Sequence, residues 1–346
     1  MREFIGLNEC LYYHRFDVTL RSKKNTAIKA WIGAVVRNNF MYAADSVSVE
    51  ENGESLSLRD LINRIPLDVS HPLYKELANG FPKGYSFAFP LYPYDDTNAL
   101  TIKKGDSLTF SLYLAGGLSK YYKSFFEAIW LMCDNGIGHP KSPFTIDSIY
   151  ERSHEGELHL MAKEDGAQVA SRLLFPVTLA DFMQERASDE ERTLSIDFLT
   201  PVNLYKKTEK KERQLSFQDK YNGFPGIYQF IRSAAYRMAK LTILYMYPKN
   251  PEPGAEIMKC IDEYIEFATN MRLTSAEIKY INLTNTPKKE SENRMPLQGY
   301  VGRQVYAGFF NRYLPMLRFM EELGVGHELV YGMGRIKIEY GNEAIK

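Results

Sequence analysis

Two rhythms of hydrophobic positions alternate along this chain. Leu11–Leu20 (LYYHRFDVTL) is rich in aromatic and β-branched residues and predicts a strand. Behind Asn25, a candidate N-cap, Thr26–Tyr42 sets Ile28, Trp31, Ile32, Val35 and Val36 at helical spacing. Ser46–Val49 predicts a short strand. Residues 52–100 carry Pro66, Pro72, Pro82, Pro90 and Pro93 and read as loop, with one short helix near 73–79. Leu108–Leu114 (LTFSLYL) alternates strictly. Ala115-Gly116-Gly117 then turns the chain into an apolar-faced helix, Tyr121–Cys133, and Phe144–Tyr150 is the next strand.

The second half repeats the order. Arg192–Leu199 alternates as a strand and runs into Thr200-Pro201. Asn222–Tyr247 and Glu256–Met271 are helical, Thr274–Leu283 and Gly299–Phe309 are strands, and an amphipathic helix and a last strand close the chain. Small details recur as well. Gly136-Ile137-Gly138-His139 matches Gly324-Val325-Gly326-His327 at an offset of 188 residues, and Tyr113-Leu114-Ala115-Gly116 aligns with Val305-Tyr306-Ala307-Gly308 at an offset of 192. The difference of four residues is about one helical turn, so the first helix should be one turn longer than its counterpart. An internal duplication of an α+β unit is expected, with element order β-α-β-β-α-β and an extra helix in the second copy. The expected fold is two tandem ferredoxin-like (RRM-like) domains, with antiparallel sheets and helices packed on one face. The expected bounds are 1–155, with a loop-rich insert at 52–100, and 192–346, joined by an acidic segment at 156–191.

Charge sharpens this division. Lys plus Arg and Asp plus Glu are both 43, so the net charge is zero. Yet residues 151–200 hold 11 acidic and 5 basic side chains, and residues 201–250 hold 10 basic and 3 acidic ones. The three cysteines (Cys10, Cys133, Cys260) lack CxxC spacing, which argues against zinc and against a disulfide framework and fits a reducing cytoplasm. The N-terminus is charged throughout, so no signal peptide is expected, and no segment reads as membrane-spanning.

Motifs for nucleotide, metal or acyl chemistry are missing: there is no GxxxxGK[ST], HExxH or GxSxG. What stands out is the glycine-rich loop, Gly324-Val325-Gly326-His327 followed by Gly332-Met333-Gly334-Arg335. Glycine tolerates positive φ and can leave amides uncovered for a phosphate, but it serves a tight helix–strand connection equally well. The dinucleotide fingerprint is excluded, because this loop follows a helix and precedes a strand.

The C-terminal residues Gly299-Tyr300-Val301-Gly302, Tyr306-Ala307-Gly308, Tyr313-Leu314-Pro315-Met316-Leu317-Arg318 and the loop from Gly324 to Arg335 resemble the CRISPR-associated repeat-processing endoribonucleases of the RAMP superfamily. Phe198-Leu199-Thr200-Pro201 resembles the opening of that family's second domain. The resemblance covers roughly 100–150 and 195–340. It implies cofactor-free, metal-independent cleavage of CRISPR precursor RNA within its repeats, by attack of a ribose 2′-hydroxyl. It implies repeat RNA as partner, with subunits of a CRISPR effector complex as further partners. Relatives that bind RNA without cutting share the glycine loop, so a non-catalytic RNA-binding subunit remains the alternative.

That chemistry asks for a general acid or base and for a cation near the phosphate. Better-known members carry a histidine on or near the first helix; Thr26–Tyr42 has none. His14, in the first strand, is the candidate, with Arg15, Lys29 or Arg37 to neutralise the phosphate. Candidate RNA-binding residues are Gly324, Gly326, His327, Gly332, Gly334 and Arg335 of the loop. To these the basic run adds Lys206, Lys207, Lys210 and Lys211. Tyr12, Tyr13, Tyr300 and Tyr306 lie on strands, where aromatics either stack bases or fill a core.

Overall fold

A computed structural model of the chain describes residues 11–28, 31–78, 80–91, 100–163, 169–183, 190–204, 226–283 and 297–341. The first domain opens with β1 (Tyr12–Ser22), whose alternation buries Phe16, Val18 and Leu20 under the helices and leaves Arg15 and Asp17 on the other face. A short strand, β2 (Thr26–Ile28), and helix α1 (Ile32–Ala44) follow. The expected helix over 26–42 is therefore corrected at its start. β-branched Thr26 and Ile28 belong to a strand, and the Asn25 side chain accepts the Lys104 amide at 2.8 Å instead of capping a helix.

Next come the hairpin β3 (Ser48–Glu51) and β4 (Glu54–Ser57), and the short helices α2 (Leu58–Asn63) and α3 (Tyr74–Ala78). β5 (Tyr85–Ala88) and β6 (Leu100–Ile102) lead to β7 (Ser107–Ala115), α4 (Tyr122–Asn135) and β8 (Phe144–Arg152). The insert read as loop thus holds a buried sheet strand, β5. Four residues between prolines are too few to show a period, and only pairing with β7 declares them. The sheet order β5-β7-β1-β8 is that of a ferredoxin-like domain, with every pairing antiparallel. Two strands from the segment 156–191 extend it: β9 (Leu158–Lys163) on β8 and β10 (Val177–Thr178) on β1.

The second domain repeats the plan with β11 (Arg192–Val202), α5 (Ile227–Met246), the extra helix α6 (Pro251–Glu266), β12 (Arg272–Asn282), β13 (Gln298–Gly308), α7 (Leu314–Leu323) and β14 (Ile336–Tyr340). Its order β12-β13-β11-β14 is the same one. α6 starts five residues before its expected start because the Asn250 side chain accepts the Glu252 amide, with Pro251 at the first helical position.

The duplication is borne out in detail. α4 has 14 residues and α7 has 10, the expected one-turn difference. Gly136 and Gly324 end these helices with φ of 82° and 80°, and Gly138 and Gly326 follow at 89° and 95°. The His139 amide donates to the Ala27 carbonyl at 2.8 Å, and the His327 amide to the Asn203 carbonyl at 2.9 Å. Each acceptor lies just beyond the first strand of its own domain.

The cores merge where the domains meet. Tyr13, Ala88, Tyr113 and Ala115 of the first domain belong to the hydrophobic cluster of the second. Tyr13 meets Phe319 of α7 edge-to-face, with ring centroids 5.2 Å apart. Of the strand tyrosines, Tyr13 and Tyr306 are buried, while Tyr12 and Tyr300 are half-buried.

Candidate nucleic-acid interface

β1 sorts the first-domain candidates onto opposite faces. His14 faces the core side, 5 % exposed, with Phe16 parallel to it at 6.4 Å. Its Nδ1 lies 2.7 Å from Oε1 of the buried Glu151, which also accepts the amides of Leu174 and Phe175 at 2.8 and 2.9 Å. Burial pushes the Glu151 carboxyl up, but the His14 contact and the two amides outweigh it and hold the group below its ordinary value. The expected acid–base histidine is thus a buried, carboxylate-held side chain. Arg15, its expected companion, lies on the other face of the sheet, Lys29 falls outside the described residues, and Arg37 sits on α1. His71 is also buried.

The outer face of β1 and β7 meets the second domain in a charged network. The Tyr113 hydroxyl donates to Oε2 of Glu322 at 2.7 Å, and Arg15 donates to the same oxygen at 3.0 Å. Arg335 donates to the Tyr113 hydroxyl at 3.3 Å and to the Glu322 carbonyl at 3.0 Å. Burial first, and the Glu322 carboxylate second, push the Tyr113 hydroxyl up to about 12. Asp17 lies beside Arg15 and Arg152 and accepts from Ser111 at 2.7 Å; against burial, these hold its carboxyl below the usual range. Arg15, Asp17, Ser111, Thr200 and Arg335 line a cleft of about 480 Å³ between the domains.

The glycine loop is the other half of this seam. Among its expected phosphate donors, the Gly324 amide bonds to Met320, His327 to Asn203, Gly332 to Leu329, Gly334 to Pro201 and Arg335 to the Thr200 hydroxyl. These amides are spent inside the protein, so Gly324, Gly332 and Gly334 build a tight connection and not an uncovered-amide cradle. A side chain on Gly332 would come within 2.6 Å of Phe89, and one on Gly326 within 2.5 Å of the Asn203 carbonyl, so close approach adds to positive φ at both. Within the loop, Leu329–Tyr331 forms a 3-10 turn that packs on α1 and β5. Arg335 alone of the loop candidates directs a charged side chain to the cleft lining. Lys206, Lys207, Lys210 and Lys211 lie outside the described residues.

One residue beside the loop and one within it carry no signal in the sequence. Lys83 and Tyr331 lie 248 positions apart, and no spacing announces that both approach Arg37. Among the described residues, no group of His, Cys, Asp and Glu suited to a metal ion occurs, and no helix is long and apolar enough to cross a membrane.

Residues 196–336 match the family model of the CRISPR-associated endoribonuclease Cas6. Over these residues, in its second domain, the chain is similar to the CRISPR-associated repeat-processing endoribonucleases. A second model, described as an N-terminal domain, matches residues 11–173. Among solved structures, the chain is similar to a partial Cas6-RT-Cas1–Cas2 complex, at 12% identity and a TM-score of 0.58 over 98% of this chain and 48% of that one. It is also similar to a product complex of a Thermus thermophilus Cas6, at 14% identity and a TM-score of 0.50 over 95% of this chain and 99% of that one. The chain therefore spans about half the length of the Cas6-RT-Cas1–Cas2 chain. At these identities the likeness is one of fold. No curated protein matches the chain.

Proposed function

We propose that this protein is a metal-independent endoribonuclease that cleaves CRISPR precursor RNA within its repeats. The match of residues 196–336 to the Cas6 family model carries the reading. In the reaction, a ribose 2′-oxygen attacks the adjacent phosphorus, the 5′-oxygen of the next nucleotide leaves, and a 2′,3′-cyclic phosphate remains. The leaving oxygen takes a proton, and the negative charge that builds on the phosphoryl oxygens calls for fixed cations. The seam supplies cationic side chains from both domains: Arg15 and Arg37 from the first and Arg335 from the second. Cleavage of a CRISPR repeat RNA in EDTA, with analysis of the new 3′ end, tests the reading; a single cut leaving a cyclic phosphate is expected.

A second reading is a non-catalytic RNA-binding subunit of a CRISPR effector complex. It is favoured by the lack of a histidine on α1 and by the burial of His14. RNA bound but left intact in the same assay would establish it.

A further inference from the structure

At the junction of α1, β5 and the glycine loop, two cationic side chains converge without an ion-pair partner among the described residues. Arg37, on α1, lays its guanidinium over the Tyr331 ring, 4.8 Å from the centroid. Its Nε is buried and has no hydrogen-bond partner. Its remaining polar contacts are neutral: the neighbouring Asn38 side chain at 3.2 Å and the Tyr85 hydroxyl. Lys83, just before β5, holds its Nζ 4.0 Å from the centre of the Phe81 ring and reaches the Asn63 carbonyl at 3.4 Å. Both side chains are half-buried. Burial and the charge of Arg37 pull the Lys83 ammonium down to about 8. The nearby Glu328 carboxylate acts on the Tyr331 hydroxyl.

Like charges held together at a domain junction raise the free energy of the unliganded protein, and an anion between them removes that cost. A buried guanidinium nitrogen without an acceptor adds a second unmet demand of the same sign. The geometry points to an anion site formed by Arg37 and Lys83, walled by Tyr331, that takes a backbone phosphodiester of the bound RNA. This rests on the reading that the protein acts on RNA, and it identifies where one phosphate is held. The site draws on both domains, because Arg37 and Lys83 come from the first and Tyr331 from the second. Trp31 fixes that wall by donating its indole N–H to the Tyr331 carbonyl at 2.6 Å.

The test is equilibrium binding of a fluorescein-labelled CRISPR repeat RNA over a salt series. The variants are Arg37→Gln, Lys83→Gln and the double, with Lys279→Gln on the edge strand β12 of the second domain as control. Each single variant should bind about tenfold more weakly. Each should also lower the log–log salt slope by about 0.7, with roughly twice that for the double variant. Wild-type binding with unchanged affinity and slope in these variants would overturn the site. Acetylation of the Lys83 amine in the wild-type protein gives a second readout that does not depend on variant folding. Protection by the RNA or by inorganic pyrophosphate supports the site. Wild-type protein that binds no repeat RNA, yet has Lys83 protected by pyrophosphate, would refute the RNA reading and keep the anion site. Protection by neither overturns the site.

Discussion

The Trp31 indole donates its N–H to the Tyr331 carbonyl at 2.6 Å, tying the start of α1 to the glycine loop of the other domain. Two residues further on, Gly33 lies so close to that carbonyl that a Cβ would sit 1.8 Å from its oxygen. Trp31→Phe keeps the aromatic bulk and strands the carbonyl, so it should destabilise the protein by about 1–3 kcal/mol. Gly33→Ala must push the loop away and should cost at least about as much. Denaturant unfolding measures both; unchanged midpoints would mean that the domains do not depend on this joint.

Glu151 predicts how the protein meets acid. Its carboxyl sits below the ordinary value of 4.5 in the folded state, so it binds fewer protons there than in the unfolded chain. Its stabilisation is complete above about pH 4.5 and fades as pH falls through the lower folded value. Glu151→Gln should lose about 1–3 kcal/mol at neutral pH and show a shallower loss of stability on acidification. Unfolding midpoints across a pH series decide it, and parallel profiles would remove Glu151 from the acid response.

His14 separates a structural role from a chemical one. Its ring is held by Glu151 on the core face of β1, so His14→Ala should lower the unfolding temperature while any repeat-RNA cleavage rate of the folded protein stays within a few-fold of wild type. A fall of about 10²–10⁴ in single-turnover rate, with folding intact, would restore it as the acid or base.

RNA affinity should weaken as pH rises through about 8, where the Lys83 ammonium loses its proton. The groups acting on it are Arg37 from α1, the Phe81 ring and the Asn63 carbonyl, and bound phosphate would move the transition upward. Lys83→Arg keeps the charge at alkaline pH and should remove this component. A wild-type profile that is flat from pH 7 to 9 would count against Lys83.

Replacing Lys206, Lys207, Lys210 and Lys211 together by Gln should weaken RNA binding and reduce the salt slope by about 0.7 for each phosphate that these lysines neutralise. An unchanged slope would mean that the run is solvent-facing in the complex.

By itself, the sequence determined the duplicated ferredoxin-like plan, but not the sheet strand β5 or the strands β9 and β10 that extend the first sheet. Strand alternation in Leu108–Leu114 and Arg192–Leu199, the helical faces of α4, α5 and α7, and the recurring Gly-x-Gly-His are local signals, set by the periods of strand and helix and by the positive φ of Gly136, Gly138, Gly324 and Gly326. Local signals do not say which layer covers which face of a sheet. The alternation of β1 puts His14 and Arg15 on opposite faces, but only α4 and the segment at Leu174 and Phe175 packing on one of them made the histidine a buried partner of Glu151. Likewise, the glycines announced a turn, while the neighbouring strand end at Thr200–Asn203 took up the amides of His327, Gly334 and Arg335. The approach of Arg37 to Lys83 and Tyr331 had no sequence signature at all, since it arises from folding of the first domain and from docking the second domain's loop on it. Burial against a distant segment is a property of the packed chain, and no periodicity encodes it.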